Sequence, residues 1–230
     1  MQRLQKFEIM STLYIVATPI GNLDDLTTRA LHTLQNVDAI LCEDTRVTLK
    51  LLSKFAFSKP LIAFHEHSTP ARLEQILERL SHGENLALVT DAGTPGISDP
   101  GAHLVQKILE RFDKQVTITP IPGPSALIAA LSISGLNADR FVFLGFPPHK
   151  KGRQTFFDDL AEQKGTIVFY ESTHRIIKAL DELNKRLPNR LLVVCRELTK
   201  LHETIYRGTA EQVTEQLQKS SIKGEFVIVL

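Results

Sequence analysis

The feature that most constrains this chain is a rhythm. Short apolar runs rich in Ile, Val and Leu alternate with longer stretches whose apolar residues recur every three to four positions. Runs of the first kind read as buried strands and stretches of the second as amphipathic helices, and their alternation points to parallel strands joined by crossover helices. Strands are predicted near 13–17, 38–42, 61–64, 86–90 and 116–121, with helices near 27–35, 45–54, 70–81, 101–112 and 125–133. The loop-like segment 134–138 interrupts the pattern. It resumes with strands near 141–144, 166–170, 191–195, 203–207 and 226–230 and helices near 152–162, 173–186 and 209–218. The expected protein is therefore α/β with two lobes, 11–136 and 137–230, and a ligand cleft between them. Residues 1–10 are read as a tail ahead of the first strand.

With 230 residues, 43% of them hydrophobic, the chain can bury a core of ordinary size. A formal net charge of +1 excludes a broadly cationic coat, so any nucleic-acid contact has to come from a local patch. Cys42 and Cys195 each lie in an apolar run and are expected as buried free thiols, not as a disulfide or metal ligands. The apolar stretch Leu13 to Ala17 is too short for a signal core or a membrane span, which predicts a cytoplasmic protein with no membrane partner.

The familiar nucleotide fingerprints are missing. Thr18-Pro19-Ile20-Gly21-Asn22 follows the first strand where G-x-G-x-x-G would stand, and no G-x-x-x-x-G-K-[ST] occurs. At the end of the fourth strand stands Asp91-Ala92-Gly93-Thr94-Pro95-Gly96-Ile97-Ser98-Asp99-Pro100-Gly101. Three glycines and two prolines in eleven residues set an unusual backbone path and let main-chain groups approach a ligand closely. Ser98 or Asp99 can cap the following helix, and Pro100 suits its first turn. A tight, well-capped connection would also explain the segment, but its length and its place at a strand's carboxyl end favour a ligand loop. A second such turn, Pro122-Gly123-Pro124-Ser125-Ala126, opens the helix after the fifth strand; together with the Thr18-Pro19 turn, these loops are expected to line one pocket.

The blocks ATPIGNLDDLT, LCEDTR, LVTDAGTPGISDPG, PIPGPSA, FLGFPPHKKGR, FYESTHRI and CRELTKLHE resemble, in order and over nearly the whole chain, those of the ribosomal RNA small subunit methyltransferase I family. The resemblance implies a two-lobed tetrapyrrole-methylase fold of the class III S-adenosylmethionine methyltransferases, with a mainly parallel first sheet and a mixed second sheet. It also implies a homodimer, S-adenosylmethionine as cofactor, and 2′-O-methylation of a cytidine in 16S ribosomal RNA or the 30S subunit. Carried over by position, the cofactor residues would be Thr18, Pro19, Asp91, Ala92, Gly93, Thr94, Pro95, Gly96, Ser98, Pro122, Gly123, Pro124, Ser125 and Ala126, with Tyr170 and Glu171 on the second lobe. The family pattern continues into a further short helical segment, whereas this sequence ends within 226–230. The resemblance assigns no general base, although removal of the ribose hydroxyl proton calls for one.

His149-Lys150-Lys151-Gly152-Arg153 reads either as a solvated loop or as an RNA phosphate contact; within the resemblance it becomes the leading RNA loop. Lys150, Lys151, Arg153, Arg175 and Lys200 are the expected RNA-contacting cations. His65-Glu66-His67 lacks a third ligand at suitable spacing and is read as a polar strand end, with no metal expected. Glu43-Asp44-Thr45-Arg46, Glu171-Ser172-Thr173-His174-Arg175 and Arg196-Glu197-Leu198-Thr199-Lys200 concentrate charge after apolar strands, where capping and ion pairing are alternatives to function. Two rival readings remain: a tetrapyrrole C-methylase and a noncatalytic ribosome-assembly protein.

Overall fold

The protein is described by a computed structural model covering residues 11–99 and 101–230. The expected tail at 1–10 and the expected first-turn role of Pro100 lie outside the described residues. Contacts divide the chain between Pro124 and Ser125.

The first unit contains β1 (Ser11–Val16), α1 (Thr28–Asn36), β2 (Ala39–Cys42), α2 (Thr45–Lys54), β3 (Leu61–Ala63), α3 (Pro70–Ser81), β4 (Leu86–Leu88), α4 (Gly101–Phe112) and β5 (Val116–Ile121). Its five strands form one parallel sheet in the order β3-β2-β4-β1-β5. Both faces are covered, which is why the strands read as nearly continuous apolar runs. Leu13, Leu41, Leu86 and Leu88 pack with α3 and α4, whereas Val16, Ile40, Cys42 and Val89 pack with α1 and α2. Helix starts match their local sequence: Thr27, Asp44 and Thr69 accept N–H groups of α1, α2 and α3, and Pro70 takes the first turn of α3.

The second unit contains α5 (Ala126–Ser134), β6 (Phe141–Phe143), α6 (Arg153–Glu162), β7 (Thr166–Ser172), α7 (Ile176–Arg186), β8 (Leu192–Arg196), β9 (Thr204–Gly208), α8 (Ala210–Lys219) and β10 (Glu225–Val229). Its sheet order is β6-β7-β10-β8-β9, with β6 and β7 parallel and the remaining pairs antiparallel. The last strand thus enters the middle of the sheet, and Phe226 and Ile228 join Phe157, Phe169, Ile176 and Leu180 in the core. The loop at 134–138, where composition suggested a boundary, follows α5 inside this unit, because α5 packs on β10 and β7.

The two cysteines illustrate how burial controls chemistry. Both are free and buried; burial pushes the Cys195 thiol up to about 11 and raises that of Cys42. Neither thiol is expected to react with a disulfide reagent at pH 8 in the folded protein, and both should react after denaturation; rapid native labelling of either one would contradict this.

Candidate functional site

In a parallel sheet the carboxyl ends of all strands share one edge, and in the first unit β4, β1 and β5 are neighbours there. The loops leaving them are consequently side by side, and hydrogen bonds join them into one ledge. Thr18 and Gly93 exchange backbone bonds of 2.9 and 3.1 Å, and the Thr18 hydroxyl donates to the Thr90 carbonyl at 3.0 Å. The Thr94 hydroxyl donates to the Pro124 carbonyl at 3.1 Å, tying the β4 loop to the β5 turn. Within the β4 loop, the Asp99 carboxylate accepts the Gly96 N–H at 2.8 Å and the Gly101 N–H at 2.7 Å. Gly96 has φ of +87° and Gly93 of +88°, a region that a Cβ disfavours. Ser98 occupies the same region at +62° without being glycine, so its strain is held by the surrounding bonds.

An acidic flank runs along this edge. The Asp91 carboxylate accepts the Asp44 N–H at 3.1 Å, and the Thr90 hydroxyl donates to Glu43 at 3.3 Å. Burial, reinforced by the charge of Asp91, raises the Glu43 carboxyl; burial also raises Asp91, against the lowering effect of the Asp44 N–H bond. Hydrogen bonds from Arg46 instead hold Asp44 down to about 2. Beside the flank opens a cavity of about 700 Å³ whose lining includes Glu43, His65, Glu66, Ser98, Asp99 and His103.

In the second unit, the Tyr170 hydroxyl accepts the Leu127 N–H at 3.2 Å, filling a first-turn position of α5 that Ser125 leaves uncapped. The Glu171 side chain is fully buried. It pairs with Arg153 at 2.9 Å and Arg175 at 2.8 Å and accepts the Ser172 N–H at 2.8 Å.

A profile of the Tetrapyrrole (Corrin/Porphyrin) Methylases matches residues 12–214. Ribosomal RNA small subunit methyltransferase I of Synechocystis is 48% identical, covering 96% of this chain and 79% of that protein. The protein of the same name from Thermotoga maritima is 41% identical, covering 96% and 98%. The chain belongs to this methyltransferase family. Two solved structures, cobalt precorrin-4 methyltransferase (TM-score 0.67, 22% identical, 96% of this chain and 94% of that one) and diphthine synthase (TM-score 0.70, 17% identical, 96% and 90%), share its fold. The family is S-adenosylmethionine-dependent, and that cofactor is the methyl donor of this family member as well.

Within the methyltransferase, the ledge suits such a donor: Asp91, Ala92, Pro122 and Gly123 are exposed on it, and the acidic flank is the charge type that attracts a sulfonium. Thr18 and Pro19 are buried beneath that surface, where the Thr18 hydroxyl serves the loop backbone. The geometry also redirects several expected site residues. Both Glu171 oxygens are engaged by protein groups, leaving the carboxylate no free face for a cofactor. Arg153 and Arg175, expected on RNA, keep only 14% and 15% of their side chains exposed and neutralise Glu171. Lys200 bridges Glu197 and Glu225 at 3.0 and 2.9 Å. Lys150 and Lys151 remain exposed at the turn before α6. His65 to His67 form an exposed turn, and no metal-capable cluster of His, Cys, Asp and Glu occurs among the described residues. The acidic flank escaped sequence reasoning because Glu43 and Asp91 are distant in the chain and meet only through the adjacency of β2 and β4.

Proposed function

We propose that the protein transfers a methyl group from S-adenosylmethionine to the 2′-hydroxyl of a cytidine in 16S ribosomal RNA of the small subunit. The observation that carries this reading is the bonded ledge of three proline-containing loops at the carboxyl edge of a parallel sheet, in a chain whose relatives are named for methylation of small-subunit ribosomal RNA. S-adenosylmethionine supplies an electrophilic methyl carbon on a sulfonium. The task left to the protein is to align donor and acceptor, for which rigid backbone loops are suited. The ledge residues Asp91 to Ser98 and Pro122 to Pro124 would hold the donor, and Lys150 and Lys151 would contact RNA phosphates.

Ribose methylation mapped along 16S RNA from cells with and without the gene tests the assignment: one modified cytidine should disappear, and an unchanged map would overturn it. Labelled donor offered with 30S subunits or with a porphyrinoid separates RNA methylation from tetrapyrrole methylation, and a pure assembly factor would label neither. Lys150→Ala with Lys151→Ala should weaken 30S binding and lower its salt slope by about one unit or slightly less per lost phosphate contact. An unchanged slope would remove this turn from the RNA interface.

A homodimer would give cover to exposed apolar side chains of the second unit such as Ile128 and Ile133 of α5 and Phe141 of the edge strand β6. Sedimentation at micromolar concentration should give twice the mass of the chain, and a monomer would refute the assembly. Action in the cytoplasm accords with a ribosomal substrate, and no described helix is long and apolar enough to cross a membrane.

A further inference from the structure

We propose that Glu171 is a positioning residue that, through Arg153 and Arg175, holds the turn at 147–151 in the conformation presenting Lys150 and Lys151 to RNA phosphates. The proposal rests on the phosphate reading of those two lysines given above. Its geometry begins with the fully buried Glu171 carboxylate, whose two oxygens each receive one guanidinium, Arg153 at 2.9 Å and Arg175 at 2.8 Å. Each arginine then reaches onward with another nitrogen. Arg175 donates to the Pro147 carbonyl at 3.0 Å and Arg153 to the Pro148 carbonyl at 3.3 Å.

Those carbonyls are the only backbone hydrogen-bonding groups that two consecutive prolines possess. The turn is therefore held at both prolines by one buried carboxylate acting through two planar forks, a task that lysine, with a single nitrogen, cannot reproduce. The Arg153 guanidinium also lies 5.1 Å from the centre of the Phe157 ring, which is fully buried, so the fork is fixed from below. At the open end of the turn, the Arg153 N–H donates to the Lys150 carbonyl at 3.3 Å, and His149, Lys150 and Lys151 are exposed. The charge balance points the same way. Two arginines against one glutamate leave one positive charge under two exposed lysines, concentrating cation density at this turn in a chain whose formal net charge is only +1.

The test uses the full chain carrying Glu171→Gln, with Arg175→Lys as a second variant. The lysine keeps a cation beside Glu171, preserving the fold, but lacks the fork needed to reach both the carboxylate and the Pro147 carbonyl. Hydrogen exchange at the Arg153 amide, which closes the turn onto the Lys150 carbonyl, should accelerate by about tenfold or more in either variant as the turn opens locally. With 30S subunits and labelled donor, KM for the subunit should rise by about tenfold, comparable to the loss of one or two phosphate contacts. S-adenosylmethionine affinity and kcat at saturating 30S should stay within about twofold, because uniform substrate binding is lost and not transition-state stabilisation. In the background of Lys150→Ala with Lys151→Ala, Glu171→Gln should raise KM no further, since residues acting through one another are non-additive.

Unchanged exchange in the Arg175→Lys variant would overturn the clamp. Additive KM effects would overturn positioning, and cofactor affinity falling in parallel would overturn it by placing Glu171 at the donor. If the lysine double variant binds 30S normally, the phosphate reading fails and the clamp's part in RNA binding falls with it, while exchange still reports whether Glu171 shapes the turn.

Discussion

Gly101→Val is expected to lower S-adenosylmethionine affinity by on the order of 100-fold, as misplacement of a positioning loop by about 1 Å commonly does to function. A Cβ built at Gly101 falls 2.8 Å from the Asp99 carboxylate oxygen, 2.9 Å from the Gly96 nitrogen and 3.1 Å from a Leu88 methyl. The first two atoms are the partners of the bond that closes the β4 loop. Neither can retreat without opening that bond, and the β-branch adds further volume beside the buried Leu88. The ledge is thereby disrupted at its base without any change to a residue on its exposed surface. Calorimetric titration of the cofactor, with circular dichroism to confirm folding, measures the effect. A folded variant that binds the donor normally would remove this loop from the cofactor site.

Glu171→Ala should produce the largest loss of stability among the polar substitutions considered. It leaves the Arg153 and Arg175 guanidiniums, with 14% and 15% of their side chains exposed, without their shared carboxylate. Breaking a buried ion pair by removing one partner costs about 3–5 kcal/mol, because the remaining charge stays desolvated. For a unit the size of residues 125–230 that corresponds to a midpoint roughly 20 °C lower. The two units have separate cores, so scanning calorimetry should show the shift in the transition of the second unit. The exposed Lys150→Ala and Lys151→Ala changes should each stay within about 0.5 kcal/mol of the parent. An unshifted midpoint for Glu171→Ala would mean that the triad contributes nothing to folding.

These two expectations separate residues that look alike in the sequence. Lys150, Lys151 and Arg153 form one basic run, yet Arg153 begins α6, one helical turn before the buried Phe157, and its side chain is drawn inward to Glu171. A run of like charges carries no record of which member will meet a carboxylate eighteen positions away. Glu171 shows the converse: its position in FYESTHRI suggested a ligand contact, but strand alternation turns it into the interior, where only paired charge is tolerated.

The sequence by itself determined the secondary structure and the class of fold. Period-two and period-3.6 apolar patterns reflect which backbone face is buried, and caps such as Thr27, Asp44, Thr69 and Thr209 act within a few residues of their helices. Even the unusual backbone path after β4 was legible, because glycine and proline mark it locally. Only the tertiary structure decided that Thr18 lies buried beneath that loop, that Glu43 and Asp91 share an acidic flank, and that Glu171 gathers two arginines expected on RNA. Those relations depend on strand order and on the direction of single side chains across long sequence separations, and desolvation rewards them only once the chain has closed around them.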